Sequence, residues 1–402
     1  MATLRQAVEC LRERGQYPAS GPISMTDLDR RFRPVPRGSF RALLAAIFNT
    51  ISQKRPWAFI LCRFKDSLPD PKLEQPIENF YREILTPAVG GLVEYWRDAS
   101  LGAIDITGSK LFGWVELDIE RKNAGIGSGV GRKKLADLAV SAALRDHLDP
   151  INGFFNQVAI ITQNWTTDSV PGGTVGSPDW TNPSDPRAPF WIDGSQDRDS
   201  GKITLTPPHD GNISAHEMGH TLGMQHDVGS DFVTHYADPC CIMSQNGSFP
   251  HPRWHVNFGP ALCLPHLLQQ DWMYQRRVYF DDGGWQRQPN GIVLPLATLT
   301  DPGALANLGI KLHWNSPDDN WDYYLEYVRP IGWNQGIGTA FLMIRRLAVV
   351  AVGETPIYLG AVPVPTSRGI RTDFVEPMGN VRFQIEWSDD SGRILKVGAK
   401  RL

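Results

Sequence analysis

His216-Glu217-Met218-Gly219-His220-Thr221-Leu222-Gly223-Met224-Gln225-His226 decides how this chain is read. It spells HExxHxxGxxH, which places three imidazoles and one carboxylate within eleven residues. On a helix, residues i and i+4 share a face, so His216 and His220 aim at one point. Glu217 falls one residue on, beside that point rather than on it. Gly223 suits a left-handed residue that ends the helix, and the turned chain carries His226 back as a third ligand. Three imidazoles around Zn²⁺ leave a fourth position for water, which marks a catalytic site rather than a closed structural one. The metal acidifies such a water and Glu217 accepts its proton. The expected chemistry is metal-assisted hydrolysis.

HExxH alone arises by accident in many helices, but Gly223 and His226 bring the fixed positions to five. At ordinary residue frequencies a chance match in a chain of this length arises on the order of once in 10⁵. The bland alternative is a set of surface or core histidines on an amphipathic helix. Asn212 is read as the N-cap of this helix, with Ile213, Met218, Leu222 and Met224 as its apolar anchors.

With these residues the chain resembles the metzincin-clan zinc metalloproteases. That clan carries a methionine turn beneath the metal, and Cys240-Cys241-Ile242-Met243-Ser244 is similar to it, with Met243 standing 17 residues after His226. The resemblance implies that Met243 forms a polarizable floor under the imidazoles. Asp227 directly follows His226, as in the adamalysin-like branch; it is either a support for the turn or a ligand from outside, or a solvated loop residue. Some branches place a tyrosine two residues after the turn methionine, where this chain has Gln245, so no tyrosine donor carries over. Tyr95–Gly102, running on to Phe112–Val115, looks like segments of immune inhibitor A-type secreted metallopeptidases. So does Tyr324–Arg329 with Gly332-Trp333. The resemblance implies an α/β (α+β) catalytic domain with a twisted mixed sheet and a zinc helix, a protein or peptide substrate, and an extracellular location.

Outward from the motif, 402 residues suggest more than one core. The expected organisation is a basic helical segment over 1–55, a catalytic domain over 56–275 and an all-β sandwich over 276–402. The first segment holds ten Lys/Arg against four Asp/Glu. It matches no inhibitory pro-segment motif, although Cys10 is a candidate for the open metal position. Met1–Gly15 has no apolar core and does not read as a signal peptide. A net charge of −3 gives no drive toward nucleic acid. Apolar runs such as Ala42–Phe48 are too short to span a bilayer, and Arg345-Arg346 interrupts the next best candidate. Five cysteines leave at least one unpaired. Cys240 or Cys241 bridging to Cys263 and free buried thiols are both open.

Within the catalytic region, Trp57–Phe64 reads as a central strand, and Leu73–Trp96 as a helix broken near Pro87 and Gly90-Gly91. Ala103–Thr107 and Leu111–Ile119 read as a hairpin around Gly108-Ser109. Asn123–Gly131 reads as a glycine-rich connection, Arg132–Leu148 as a helix and Gln157–Thr162 as a strand. Asn164–Ser200 is a long Pro- and Gly-rich loop expected to border the cleft, with Asp193, Asp197 and Asp199 as candidate Ca²⁺ ligands or plain surface residues. Gly201–Thr206 is the strand expected to pair with an extended substrate. His209, His251 and His255 read as pocket or surface residues rather than ligands, and Pro260–Met273 as a closing helix.

Short β-type runs follow at Arg277–Phe280, Ile292–Leu299, Ile310–Trp314, Tyr323–Val328, Ala340–Ile344 and Arg382–Trp387. Trp314, Trp321, Tyr323, Tyr324, Tyr327 and Trp333 suit a carbohydrate- or protein-binding face, or simply core. The expected function is a zinc endopeptidase with Glu217 as general base. The alternatives are a silent binding protein that retains the zinc helix and acts through its C-terminal domain, or a hydrolase of non-peptide amides.

Overall fold

The computed structural model describes residues 53–124, 129–146, 153–161, 202–205, 211–244, 258–273 and 277–402, the last span without 302, 305, 316–319, 351–352, 366–371, 377 and 389–391. The leader, the long loop with Asp193, Asp197 and Asp199, and His209, Gln245, His251 and His255 lie outside these residues. The protein is of mixed α/β type with several sheets. Its chain contacts form two compact units: Lys54–Trp96 with Asp105–Met224, and Arg97–Ile104 with Gln225–Leu402.

The first unit is built on β1 (Trp57–Phe64), β2 (Lys110–Leu117), β3 (Asn156–Ile161) and β4 (Lys202–Leu205), in the order β2-β1-β3-β4. Every described pairing in this sheet is parallel. The expectation of a mixed sheet is corrected to that extent. Parallel neighbours need crossover connections, and these carry helices α1 (Pro71–Ile84), α2 (Leu92–Ala99) and α3 (Gly129–Asp146). A central parallel strand is covered on both faces and therefore reads as an unbroken apolar run; β1 is WAFILCRF, with Arg63 alone half-buried. Alternate residues Ala58, Ile60, Cys62 and Phe64 share a core cluster with Leu135, Ala139 and Ala143 of α3. Phe59, on the opposite face, lies 6.1 Å from the Tyr81 ring of α1.

Asp70 caps α1 by accepting from the Lys72 amide at 3.0 Å, with Pro71 in the first turn. The break before α2 has a steric and a polar cause. A Cβ at Gly91 would meet the Ile84 carbonyl oxygen at 2.3 Å. The Glu94 carboxylate accepts from the amides of Ala88, Gly90 and Gly91 at 2.8, 2.9 and 3.2 Å. The expected hairpin at Gly108 is not one: β2 pairs parallel with β1, while Asp105 accepts from the Arg55 amide. The two halves serve different partners because Ser109 ends the turn by donating to Ile106 O and accepting from Trp57 N.

The second unit holds two sheets. One contains β5 (Val228–Gly229), β6 (Val278–Asp281), β8 (Gly309–Asn315), β9 (Asn320–Val328), β10 (Phe341–Val350) and β11 (Gly353–Pro363), in the order β5-β11-β10-β9-β8-β6. The other orders β12 (Thr372–Glu376), β13 (Val381–Ser388), β14 (Ile394–Arg401) and β7 (Ile292–Ala297), antiparallel throughout. Leu312, Tyr323, Leu325, Leu342 and Ile344 of the first sheet share one core cluster with Leu296, Phe383, Ile385, Leu395 and Val397 of the second. Trp314, Tyr323, Tyr324 and Tyr327 are buried. These four aromatics are therefore core, not an exposed binding face. Among the described residues no helix is long and apolar enough to cross a membrane.

The sequence places a domain boundary at 275/276, whereas the compact units divide after Met224. Side chains explain the difference. Asp238 and the amide of Leu264 are held by Arg345 and Glu326 of the large sheet, and the amide of Ala261 by Asn334. The turn that carries Met243 and the helix α5 (Leu264–Gln269) belong by contact to the β-rich unit.

Candidate metal centre

Helix α4 (Gly211–Thr221) carries the first two histidines one turn apart. Their Nε2 atoms lie 3.0 Å from each other, with the rings at 84°. Two nitrogens sharing a tetrahedral zinc ion stand about 3.3 Å apart, so the pair is spaced for one cation. His220 Nδ1 lies 2.9 Å from the Met224 carbonyl oxygen. A carbonyl only accepts, so Nδ1 carries the proton and Nε2 is left with its lone pair. This is the orientation a ligand histidine takes from an outer partner. The helix begins at Gly211, so Asn212 sits in its first turn rather than at the N-cap.

Helix α4 ends in a double-bonded turn. Gly223 has φ +91°, its amide donates to His220 O at 2.9 Å, and the Met224 amide donates to Gly219 O at 3.1 Å. These are the two hydrogen bonds of a Schellman closure. One nitrogen from each of His216, His220 and His226 falls within 4.8 Å of the others. His216 and His220 are buried and His226 is half-buried, while Glu217 is buried at 4% exposure. This histidine group is able to hold a metal ion.

Around His226 the chain is tightly organised. Asp227 N donates to the Met243 carbonyl, Tyr236 N donates to Asp227 O, and Thr355 Oγ1 donates to His226 O. Met243 itself is fully buried. Asp227 is also fully buried, with Oδ1 at 2.8 Å from His266 Nε2. The alternative of a solvated loop aspartate is thereby excluded. The following loop turns around Asp231, whose carboxylate accepts from Val233 N, Thr234 N and Thr234 Oγ1. Those bonds pull the carboxyl down to about 2. Tyr236 leaves the loop at φ +62°, a costly conformation for a bulky residue. It brings its hydroxyl to 3.2 Å from His226 Nε2, with the rings 4.5 Å apart.

Sequence reasoning did not find Tyr236, His266 or the ion-pair cluster of Asp238, Glu326 and Arg345. Gln245, which stands where some metzincin branches carry a tyrosine, lies outside the described residues. The signal for Tyr236 was the turn-forming Asp231 among large apolar residues immediately after the motif. For Arg345 it was an arginine pair inside the ten-residue apolar strand FLMIRRLAVV. Nothing in the sequence around His266 marks it. Of the two readings left open for these cysteines, free buried thiols is the one found: Cys62, Cys240, Cys241 and Cys263 form no disulfide, and a bridge from Cys240 or Cys241 to Cys263 is absent. Burial pushes the Cys263 thiol up to about 11.

The cluster is dry. Arg345 donates from Nη2 to Asp238 Oδ1 at 3.2 Å and from Nη1 to Glu326 Oε2 at 2.7 Å, and a further bond joins its Nε to Asp238. Burial pushes Glu326 up to about 7 although Arg345 pulls it down, and Asp238 is raised for the same first reason. Asp238 also accepts from the Cys240 amide, and its own amide donates to Ser244 Oγ. The turn that carries Met243 is thus pinned at both ends. In the same unit Trp333 Nε1 donates to Asp98 at 3.2 Å.

No family model matches this chain, and no curated protein matches it.

Proposed function

We propose that the chain is a zinc-dependent endopeptidase of metzincin type, with its C-terminal sheets forming a β-sandwich. The observation that carries the reading is the pair of Nε2 atoms 3.0 Å apart on α4, with the His220 Nε2 lone pair left free for a metal because Nδ1 of that ring donates to the Met224 carbonyl. His226 completes the ligand set. A zinc ion bound there would acidify a water and polarise a peptide carbonyl.

The protein's own groups account for the remaining steps. Glu217, next to His216, takes a proton from the attacking water on its carboxylate and returns it to the departing amine nitrogen. Burial of Glu217 keeps that transfer away from bulk solvent. The Tyr236 hydroxyl, 3.2 Å from His226 Nε2, would donate to the oxygen that gains charge. Strand β4 has β3 as its single described neighbour, so its other edge suits addition of an extended substrate. Phe232 and Val233 are exposed on the loop after His226 and suit an apolar substrate side chain.

The test uses Glu217→Gln in the full chain. The variant is expected to keep the wild-type zinc content and to lose casein or peptide cleavage by about 1,000-fold or more. In the wild type, a chelator abolishes cleavage and added zinc restores it. Cleavage at the wild-type rate by Glu217→Gln overturns the base assignment, and cleavage insensitive to chelation overturns the class.

A further inference from the structure

A second group of metal-binding side chains lies wholly within the β-rich unit, and the proposed hydrolysis makes no use of it. One atom from each of Asp227, Cys241, Cys263 and His266 falls within 4.8 Å of the other three. All four residues are fully buried. They come from three places in the chain: the residue after His226, the methionine turn, and the start of α5.

The side chains already face one another. His266 Nε2 is 2.8 Å from Asp227 Oδ1, and Cys263 Sγ is 3.9 Å from Asp227 Oδ2. The sulfurs of Cys241 and Cys263 lie within 4.8 Å of each other. On the far side of the imidazole, His266 Nδ1 lies 3.2 Å from Gln269 Oε1. An outer partner of this kind sets the ring so that Nε2 points inward.

A hydrogen-bonding role alone accounts poorly for this composition. Thiols are weak donors and acceptors, and a carboxylate in a dry interior is costly unless well compensated. Apolar residues would fill the same space without that penalty. Two sulfurs, one imidazole and one carboxylate make a four-donor set of the type that closes around zinc. The donors of a tetrahedral site stand about 3.3–3.8 Å apart, so a contraction of about 1 Å closes the group on an ion.

We propose that Asp227, Cys241, Cys263 and His266 bind a second divalent metal of the zinc class in a closed, structural site. Binding releases the two thiol protons to solvent and leaves two thiolates, one carboxylate and a neutral imidazole on the cation. The closed set carries a single net negative charge. The ion ties together the methionine turn, α5 and the residue that follows His226. This inference is independent of the proposed peptidase activity.

The deciding experiment uses the wild-type full chain purified without chelator, so that it does not hang on whether a variant folds. Elemental analysis is expected to find about two zinc ions per chain. Replacement by cobalt is expected to give a thiolate-to-cobalt charge-transfer band in the near ultraviolet. The band persists in the double variant His216→Ala/His220→Ala and disappears in Cys263→Ser. One zinc per chain, a cobalt protein without that band, or a Cys241–Cys263 disulfide in the denatured thiol count each overturns the second site. The band in the wild-type protein, with no peptide cleavage by that same wild-type chain, sinks only the peptidase reading.

Discussion

Arg345 on β10 and Asp238, 107 residues earlier in the chain, are joined by two hydrogen bonds in the dry interior of the C-terminal unit. Glu326 shares the same guanidinium, so one buried cation faces two carboxylates. Removing the cation strands both acids. Arg345→Met is therefore expected to cost about 3–5 kcal/mol in urea unfolding. A loss of less than about 1 kcal/mol would show that the cluster is not what fixes the turn.

The same imbalance makes stability depend on pH. The Glu326 carboxyl rises from 4.5 to about 7 on folding, so the folded state holds this proton more tightly than the unfolded chain. Its stabilising contribution is complete below the unfolded value, declines as pH climbs, and is gone once pH passes about 7. The full span amounts to at most about 3 kcal/mol. Subtracting the pH–stability curve of Glu326→Gln from that of wild type isolates this contribution. The difference should fall between about pH 4.5 and 7 and be flat above. A difference that grows with pH contradicts the burial argument.

Tyr236→Phe removes one hydroxyl from beside His226 and leaves the ring in place. We expect kcat/KM for peptides to fall by about 100-fold, the scale of losing one oxyanion donor, with zinc content unchanged. An unchanged rate assigns Tyr236 to packing alone.

Gly223→Ala forces a side chain into φ +91° at the turn that redirects the chain toward His226. The strain is about 1–2 kcal/mol. Competition with a chromogenic chelator is expected to report weaker zinc binding, because the third ligand loses its fixed approach. Equal affinity in both proteins removes Gly223 from the design of the site.

Much of this architecture can be read from local pattern. WAFILCRF has to be a central strand because no polar alternation breaks it, and the histidine spacing fixes which ring atoms can meet. The strand Gly353–Pro363 was missed because Pro356, Gly360 and Pro363 argue against pairing. It forms nonetheless beside the two-residue strand Val228–Gly229, which leaves most of its outer edge without a ladder partner among the described residues. Ile394–Arg401 was missed for a related reason: Gly398 looks like a breaker, yet its Cβ position is filled by Gln384 across the sheet.

The rest is invisible locally because it is made by long-range contacts. Asp227 and His266 are 39 residues apart, and nothing near either announces the other. Arg345 illustrates a subtler limit. Its charge inside an apolar run was read only as an obstacle to spanning a membrane, but two acids from distant segments make that burial tolerable. A domain boundary drawn from composition alone fell at 275 because the turn and α5 have no strand character. Their allegiance is set by Asp238 and Leu264 reaching into the sheet.

Gly91 has one further consequence. The smallest methyl group at that position would collide with the backbone of Ile84, and backbone cannot step aside as a flexible side chain can. Divergent descendants of this chain can therefore exchange most surface letters while keeping a bare hydrogen there. Any genuine cousin should betray its ancestry by that glycine, followed three places on by an acid to satisfy the exposed amides.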